Sequence, residues 1–154
     1  GAPCIIGADT EVRHCAFIRG SALVGSNCVV GNSVELKNVI LFDNVQVPHY
    51  NYVGDSILGY KSHMGAGSVT SNVKSDKSLV VVKNGDEKIE TGLKKFGAML
   101  GDFVEVADHQ ILIEADFLVN AYESAHTLDA KQTTLAKIFK TDTGTRLFRT
   151  MFAL

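Results

Sequence analysis

Three things are scarce in this 154-residue sequence, and each absence removes a class of function. Charge of one sign is the first: 15 Lys and Arg stand against 17 Asp and Glu, a net charge of −2. That balance leaves no electrostatic footprint for nucleic acid or for an anionic membrane surface. Long apolar runs are the second. None reaches the roughly 20 residues of a membrane span, and nothing at the start has the build of a signal peptide. Paired cysteine spacing is the third: Cys4, Cys15 and Cys28 are scattered and odd in number. Scattered thiols argue against a disulfide framework or a cysteine metal site and suit a reducing cytoplasm. No Ser-His-Asp or Cys-His arrangement is visible either. His14, His63, His109 and His126 are too dispersed for a metal site and read as surface or hydrogen-bonded residues. The sequence opens on Gly rather than Met, as either a fragment or a processed chain would.

What is present is a period of six. Position one of successive units is Ile6, Val12, Ile18, Val24, Val30, Leu36 and Phe42, and position five is Thr10, Ala16, Ala22, Cys28, Val34, Ile40 and Gln46. A strand repeats every two residues and a helix every 3.6, so neither explains this spacing. A coil with three flat faces does, because three hexads close one eighteen-residue turn and small residues fit its corners. Successive coils then stack about 4.8 Å apart through parallel pairing. The expected fold is all-β, a parallel β-helix of hexapeptide repeats, and Cys28 at a corner position reads as a small buried hydrophobe. With 45% apolar residues the chain can bury the core of one domain.

Interruptions locate the rest. After Phe42 the units restart at Leu58, Met64 and Thr70, two residues short of register, so the irregularity is expected within Pro48-His49-Tyr50-Asn51-Tyr52-Val53-Gly54-Asp55. Residues 73–95 read as a protruding loop, with Asn84-Gly85 as a hairpin turn. The phase resumes at Leu100 and decays after Val106, which sets a β-helix over 1–106 and an extension over 107–154. Within that extension Leu128, Leu135, Ile138 and Phe139 lie on one side of an expected amphipathic helix, which would cover the open edge of the last coil. Gly144-Thr145-Arg146-Leu147 echoes a nucleotide loop but lacks the strand and earlier glycines such a loop needs, so it is read as coincidence.

Position two of each hexad points away from the core. Arg19 and Lys37 occupy it one coil apart, which is expected to stack them on one face. Two cations that close repel unless an anion lies between them, and guanidinium beside ammonium suits a phosphate. The plainer reading is a pair of solvated charges neutralised by Glu35. His49 falls eighteen residues past Gly31, one corner away, beside Tyr50 and Tyr52. An imidazole with its ordinary pKa of about 6.5 is partly neutral near pH 7 and can accept a proton.

Val34-Glu35-Leu36-Lys37-Asn38, the His49 to Asp55 segment, Gly65-Ala66-Gly67-Ser68 and Asn72 together carry a family likeness. In that order and spacing they resemble the acetyltransferase domain of bacterial bifunctional UDP-N-acetylglucosamine synthesis enzymes and related archaeal-type sugar nucleotidyltransferases, over residues 5 to 106. The Lys77 region and Gly97-Ala98-Met99-Leu100-Gly101-Asp102 are similar to the second group. The resemblance implies a left-handed β-helix and transfer of an acetyl group from acetyl-CoA, as co-substrate, to the amine of glucosamine 1-phosphate or a similar amino-sugar phosphate. It implies Arg19 and Lys37 as phosphate ligands, His49 as general base, Tyr52 and Asn72 as sugar contacts, and the Ala66 backbone facing the thioester. It also implies a cytoplasmic homotrimer with active sites between neighbouring β-helices. His63 stands at a substrate-contacting position where those enzymes carry Asn, and Ala107-Asp108-His109 stands where they carry Gly and a small polar residue. A non-catalytic trimerising or sugar-phosphate-sensing module of a nucleotidyltransferase is the alternative, and a purely structural solenoid the third reading.

Overall fold

The computed structural model describes residues 1–84, 87–113 and 117–118. The expected helix over 128–140 and the Gly144 segment lie outside them. The early strands are β1 (Cys4–Ile6), β2 (Glu11–Val12), β3 (Phe17–Val24), β4 (Val29–Asn32) and β5 (Glu35–Leu41). The middle of the chain forms β6 (Gln46–His49), β7 (Tyr52–Leu58), β8 (His63–Met64), β9 (Val69–Ser71), β10 (Val81–Asn84) and β11 (Glu87–Glu90). The last are β12 (Met99–Leu100), β13 (Glu105–Val106), β14 (Ile111–Ile113) and β15 (Phe117–Leu118). No helix occurs among the described residues, so none there is long and apolar enough to cross a membrane.

These strands stack in parallel as three faces of a β-helix. One face is β2, β4, β6, β8 and β13. The long strands β3, β5 and β7 each supply two faces: their first halves stack with β9 and β14, and their second halves with β1, β12 and β15. Three ladders of left-handed backbone mark the corners between faces. Asp9, Asn27, Asn44 and Lys61 form one, Cys15, Ser33, Tyr50 and Gly67 another, and Ser21, Asn38 and Asp55 the third. Asn and Asp recur because their short polar side chains tolerate a positive φ better than most residues do. This is the hexapeptide-repeat architecture that the period of six demands.

The phase slip is distributed differently from the expectation. Ile18 pairs with Leu36, eighteen residues on, whereas Gly20 pairs with Lys37, seventeen on, and every pairing of the next coil keeps the spacing of seventeen. One residue is therefore lost at Leu36-Lys37 and a second at Val53-Gly54. The inward row runs Val24, Val30, Leu36, Leu41, Val47, Val53, Leu58 and Met64, all buried. Leu41, 2% exposed, takes the place the hexad count gives to Phe42, which is 47% exposed. Val45 likewise replaces Gln46 at the corner. The loss falls where β5 and β7 bend between faces, so a continuous strand absorbs it without breaking the stack.

Residues 73–95 leave the β-helix after β9, where the chain would otherwise make the next corner of the Ser21–Asn38–Asp55 ladder. They carry the antiparallel pair β10–β11 expected from the Asn84-Gly85 signal. Phe96 is buried at the base of this arm, and the Gly97 N–H donates to the Asp55 carbonyl at 2.8 Å. Past Val106 the stacking continues: β14 pairs with β9 and β15 with β12, so the β-helix extends at least to Leu118.

Candidate functional site

The Asp55 corner holds the most developed polar cluster. Asp55 is only 3% exposed, yet it receives three side-chain donors. Lys37 Nζ lies 3.0 Å from Oδ1, Asn38 Nδ2 donates to Oδ1 at 2.8 Å, and Asn72 Nδ2 donates to Oδ2. Asn72 Nδ2 also lies 3.1 Å from the Tyr52 hydroxyl, which extends the network to a fifth side chain. A buried carboxylate is tolerated because these donors replace the water it lost. Asn38 and Asp55 occupy adjacent rungs of one left-handed corner ladder, which is why side chains seventeen residues apart meet.

Beside this cluster opens a groove of about 520 Å³ lined by Arg19, Lys37, Asn38 and Asp55 from the β-helix and by Lys94 and Lys95 from the arm. Arg19 Nη1 donates to Glu35 Oε1 at 2.8 Å, and that hydrogen bond raises the guanidinium's pKa above its ordinary value. Arg19 does not lie directly over Lys37: it is the extra residue of the first coil, and Gly20 takes the position opposite Lys37. Both cations nevertheless border the same groove. Each also has its own carboxylate, so neither waits on an external anion for neutralisation.

His49 ends β6, exposed, across the Tyr50 corner from Tyr52. Its coil partner is Asn32 rather than Gly31, a consequence of the seventeen-residue spacing. Pro48 packs over Gly31, its carbonyl oxygen only 1.7 Å from where a Cβ at that position would stand. His63 lies elsewhere, on β8, where Nδ1 is 2.9 Å from Glu105 Oε2 in a separate groove of about 410 Å³ that also takes in Asn44 and Gln46. Ala66 uses both of its backbone groups on the following coil. Its N–H donates to Asp108 Oδ1 at 2.8 Å and its carbonyl accepts from the His109 N–H at 2.8 Å.

Arg19, Lys37, Tyr52 and Asn72 are thus gathered around one corner, while His49, His63 and Ala66 lie outside the residues that line its groove. Asp55 is the residue that sequence reasoning passed over, although it stands eighteen residues after Lys37, the same count that linked Lys37 to Arg19. Lys94 and Lys95 lie in the insertion, where the repeat gives no ruler.

Fold and site define a hexapeptide-repeat β-helix domain with a basic groove at one corner. A family profile described as the GMPPB C-terminal domain matches residues 1–126, and the chain belongs to that family. Among curated proteins it is 40% identical over 90 residues to Bifunctional protein GlmU of Methanococcus aeolicus, covering 58% of this chain and 22% of that one. The same-named protein of Nostoc sp. is 34% identical over 104 residues, covering 68% of this chain and 19% of its own. That of a Cyanothece species is 33% identical over 116 residues, covering 75% and 22%. The likeness to bifunctional enzymes is thereby met, and the chain spans about a fifth of the length of these relatives.

Proposed function

We propose that this chain is an acetyl-transfer domain acting on an amino-sugar phosphate, glucosamine 1-phosphate or a close analogue, in the synthesis of UDP-N-acetylglucosamine-type sugar nucleotides. The observation that carries the reading is the Asp55 corner, where Lys37, Asn38, Asn72 and Tyr52 are tied into one network beside a groove bordered by four cations. Such a wall suits a phosphate, and neighbouring amide and phenol groups suit sugar hydroxyls.

An ammonium has no lone pair to attack a thioester. His49 would take the proton from the bound amine, the amine nitrogen would form a bond to the acetyl carbon of acetyl-CoA, and the carbon–sulfur bond would break. The departing thiolate would then take up the second proton that the nitrogen sheds on becoming an amide, and leave as coenzyme A. Positioning and proton removal together supply the acceleration expected of such a site. A homotrimer with active sites between neighbouring β-helices is the assembly that the family resemblance implies for this reading.

The second reading is a module that binds sugar phosphate without acetyl-CoA, and the Ala66–Asp108 hydrogen bond favours it. That bond occupies the N–H which the acetyl-transfer reading turns toward the thioester. Isothermal titration separates the two. Binding of both glucosamine 1-phosphate and acetyl-CoA supports the transferase; sugar phosphate alone, with no acetyl-CoA bound at millimolar ligand, supports the module. Binding of neither contradicts both.

A further inference from the structure

Asn51 is a buried amide in a column of small side chains. It follows the Cys15, Ser33, Tyr50 and Gly67 corner ladder, where the equivalent residues of the other coils are Ala16, Val34 and Ser68. At 2% exposure a carboxamide there costs free energy unless its donors and acceptor find partners. Asn51 has them all. Oδ1 accepts the His49 backbone N–H at 3.1 Å, while Nδ2 donates to the Gly65 carbonyl at 2.7 Å, to the Ser68 carbonyl at 3.1 Å and to Ser68 Oγ at 3.0 Å.

The reason for the amide lies one residue before His49. Pro48 has no N–H to donate to the next coil, and among the described residues β6 is paired with β8 at Gln46 and His63 alone. Regular strand pairing therefore stops short of His49, and the Asn51 side chain bridges the two coils in its place. The His49 carbonyl completes the bridge by accepting the Gly67 N–H at 2.9 Å. Both backbone groups of His49 are thus tied, directly or through Asn51, to the segment Gly65-Ala66-Gly67-Ser68.

We infer that Asn51 is a positioning residue, whose side chain sets the place of the His49 imidazole relative to the Ala66 corner and so the geometry of proton removal from the attacking amine. The inference rests on the acetyl-transfer reading, with His49 as base and the Ala66 corner toward the thioester. His49 is exposed at the end of its strand, where little else holds it. A misplacement of about 1 Å can cost about 10²-fold in rate. One coil earlier Val34 fills the same corner, so packing alone does not call for an amide.

The test compares Asn51→Val and Asn51→Thr in the whole 154-residue protein. Valine copies Val34 and removes every hydrogen bond of the amide; threonine has the same shape with a hydroxyl that can donate and accept. Coenzyme A release from acetyl-CoA with glucosamine 1-phosphate is followed well below the thermal midpoints. Asn51→Val is expected to lower kcat by about 10- to 100-fold with KM for the amino sugar unchanged, since Arg19, Lys37 and Asn72 lie at another corner. Asn51→Thr recovers part of the loss. In a His49→Ala background the valine substitution adds no further loss, because a residue that acts through His49 has nothing left to place. Ser68→Ala loosens the same clamp from its other side, with a smaller fall in kcat, and serves if Asn51→Val does not fold. A loss carried by KM, or the same loss with and without His49, overturns the inference. Full kcat in Asn51→Val, in a protein that His49→Ala inactivates, overturns the inference and leaves the acetyl-transfer reading standing. No coenzyme A release by the wild type removes both.

Discussion

Lys37 Nζ lies 3.0 Å from Asp55 Oδ1 across one coil of the β-helix, and Asp55 is the buried carboxylate on which the polar corner converges. Removing the carboxylate strands the ammonium and the amides of Asn38 and Asn72. Asp55→Ala is expected to destabilise the protein by about 3 kcal/mol, the lower end for a broken buried pair because Lys37 keeps some contact with solvent. The midpoint of guanidinium unfolding measures it. A cost below 1 kcal/mol would mean the network adds little to the fold.

The seventeen-residue coils make a second prediction, which tests register. Leu41 is in the core and Phe42 on the surface. Leu41→Ala should therefore cost about 2–5 kcal/mol, and Phe42→Ala about 0.5 kcal/mol or less. An uninterrupted count of eighteen predicts the opposite order, so paired unfolding curves decide between the registers.

Thiol reactivity offers a third. Cys4 and Cys15 are exposed while Cys28 is buried, and burial pushes the Cys28 thiol above its ordinary pKa. Two thiols per chain should label rapidly at pH 8 and the third only on unfolding. The unfolded thiol loses its proton first on raising the pH, at about 8.5. This group's contribution to stability is therefore intact below that pH and falls as pH rises through the interval up to the folded value. The alkaline loss should shrink in Cys28→Ala.

The architecture is legible in the sequence because Ile6 to Leu36 keep an unbroken period of six. The two single-residue losses are not, since Val39-Ile40-Leu41-Phe42 offers apolar residues at every nearby phase and periodicity alone cannot choose between Leu41 and Phe42. Gln46 at an expected corner was the visible warning, and Val45 beside it is the residue that fits. That one-residue error is what set Arg19 over Lys37 and His49 over Gly31, where the structure has Gly20 opposite Lys37 and Asn32 opposite His49. The groove's far wall was beyond the ruler altogether, because Lys94 and Lys95 sit in an insertion whose placement depends on Phe96 packing and the Val73–Lys95 bridge.

His49 is exposed at the end of its strand, so it can be removed without cost to the core. The most direct measurement follows coenzyme A release by the whole protein from acetyl-CoA with glucosamine 1-phosphate, in wild type and in His49→Ala. Acetyl transfer by a histidine base predicts release that requires the amino sugar and falls by about 10²- to 10⁴-fold in the variant, at an unchanged thermal midpoint. No release by the wild type, or full activity in His49→Ala, would contradict it.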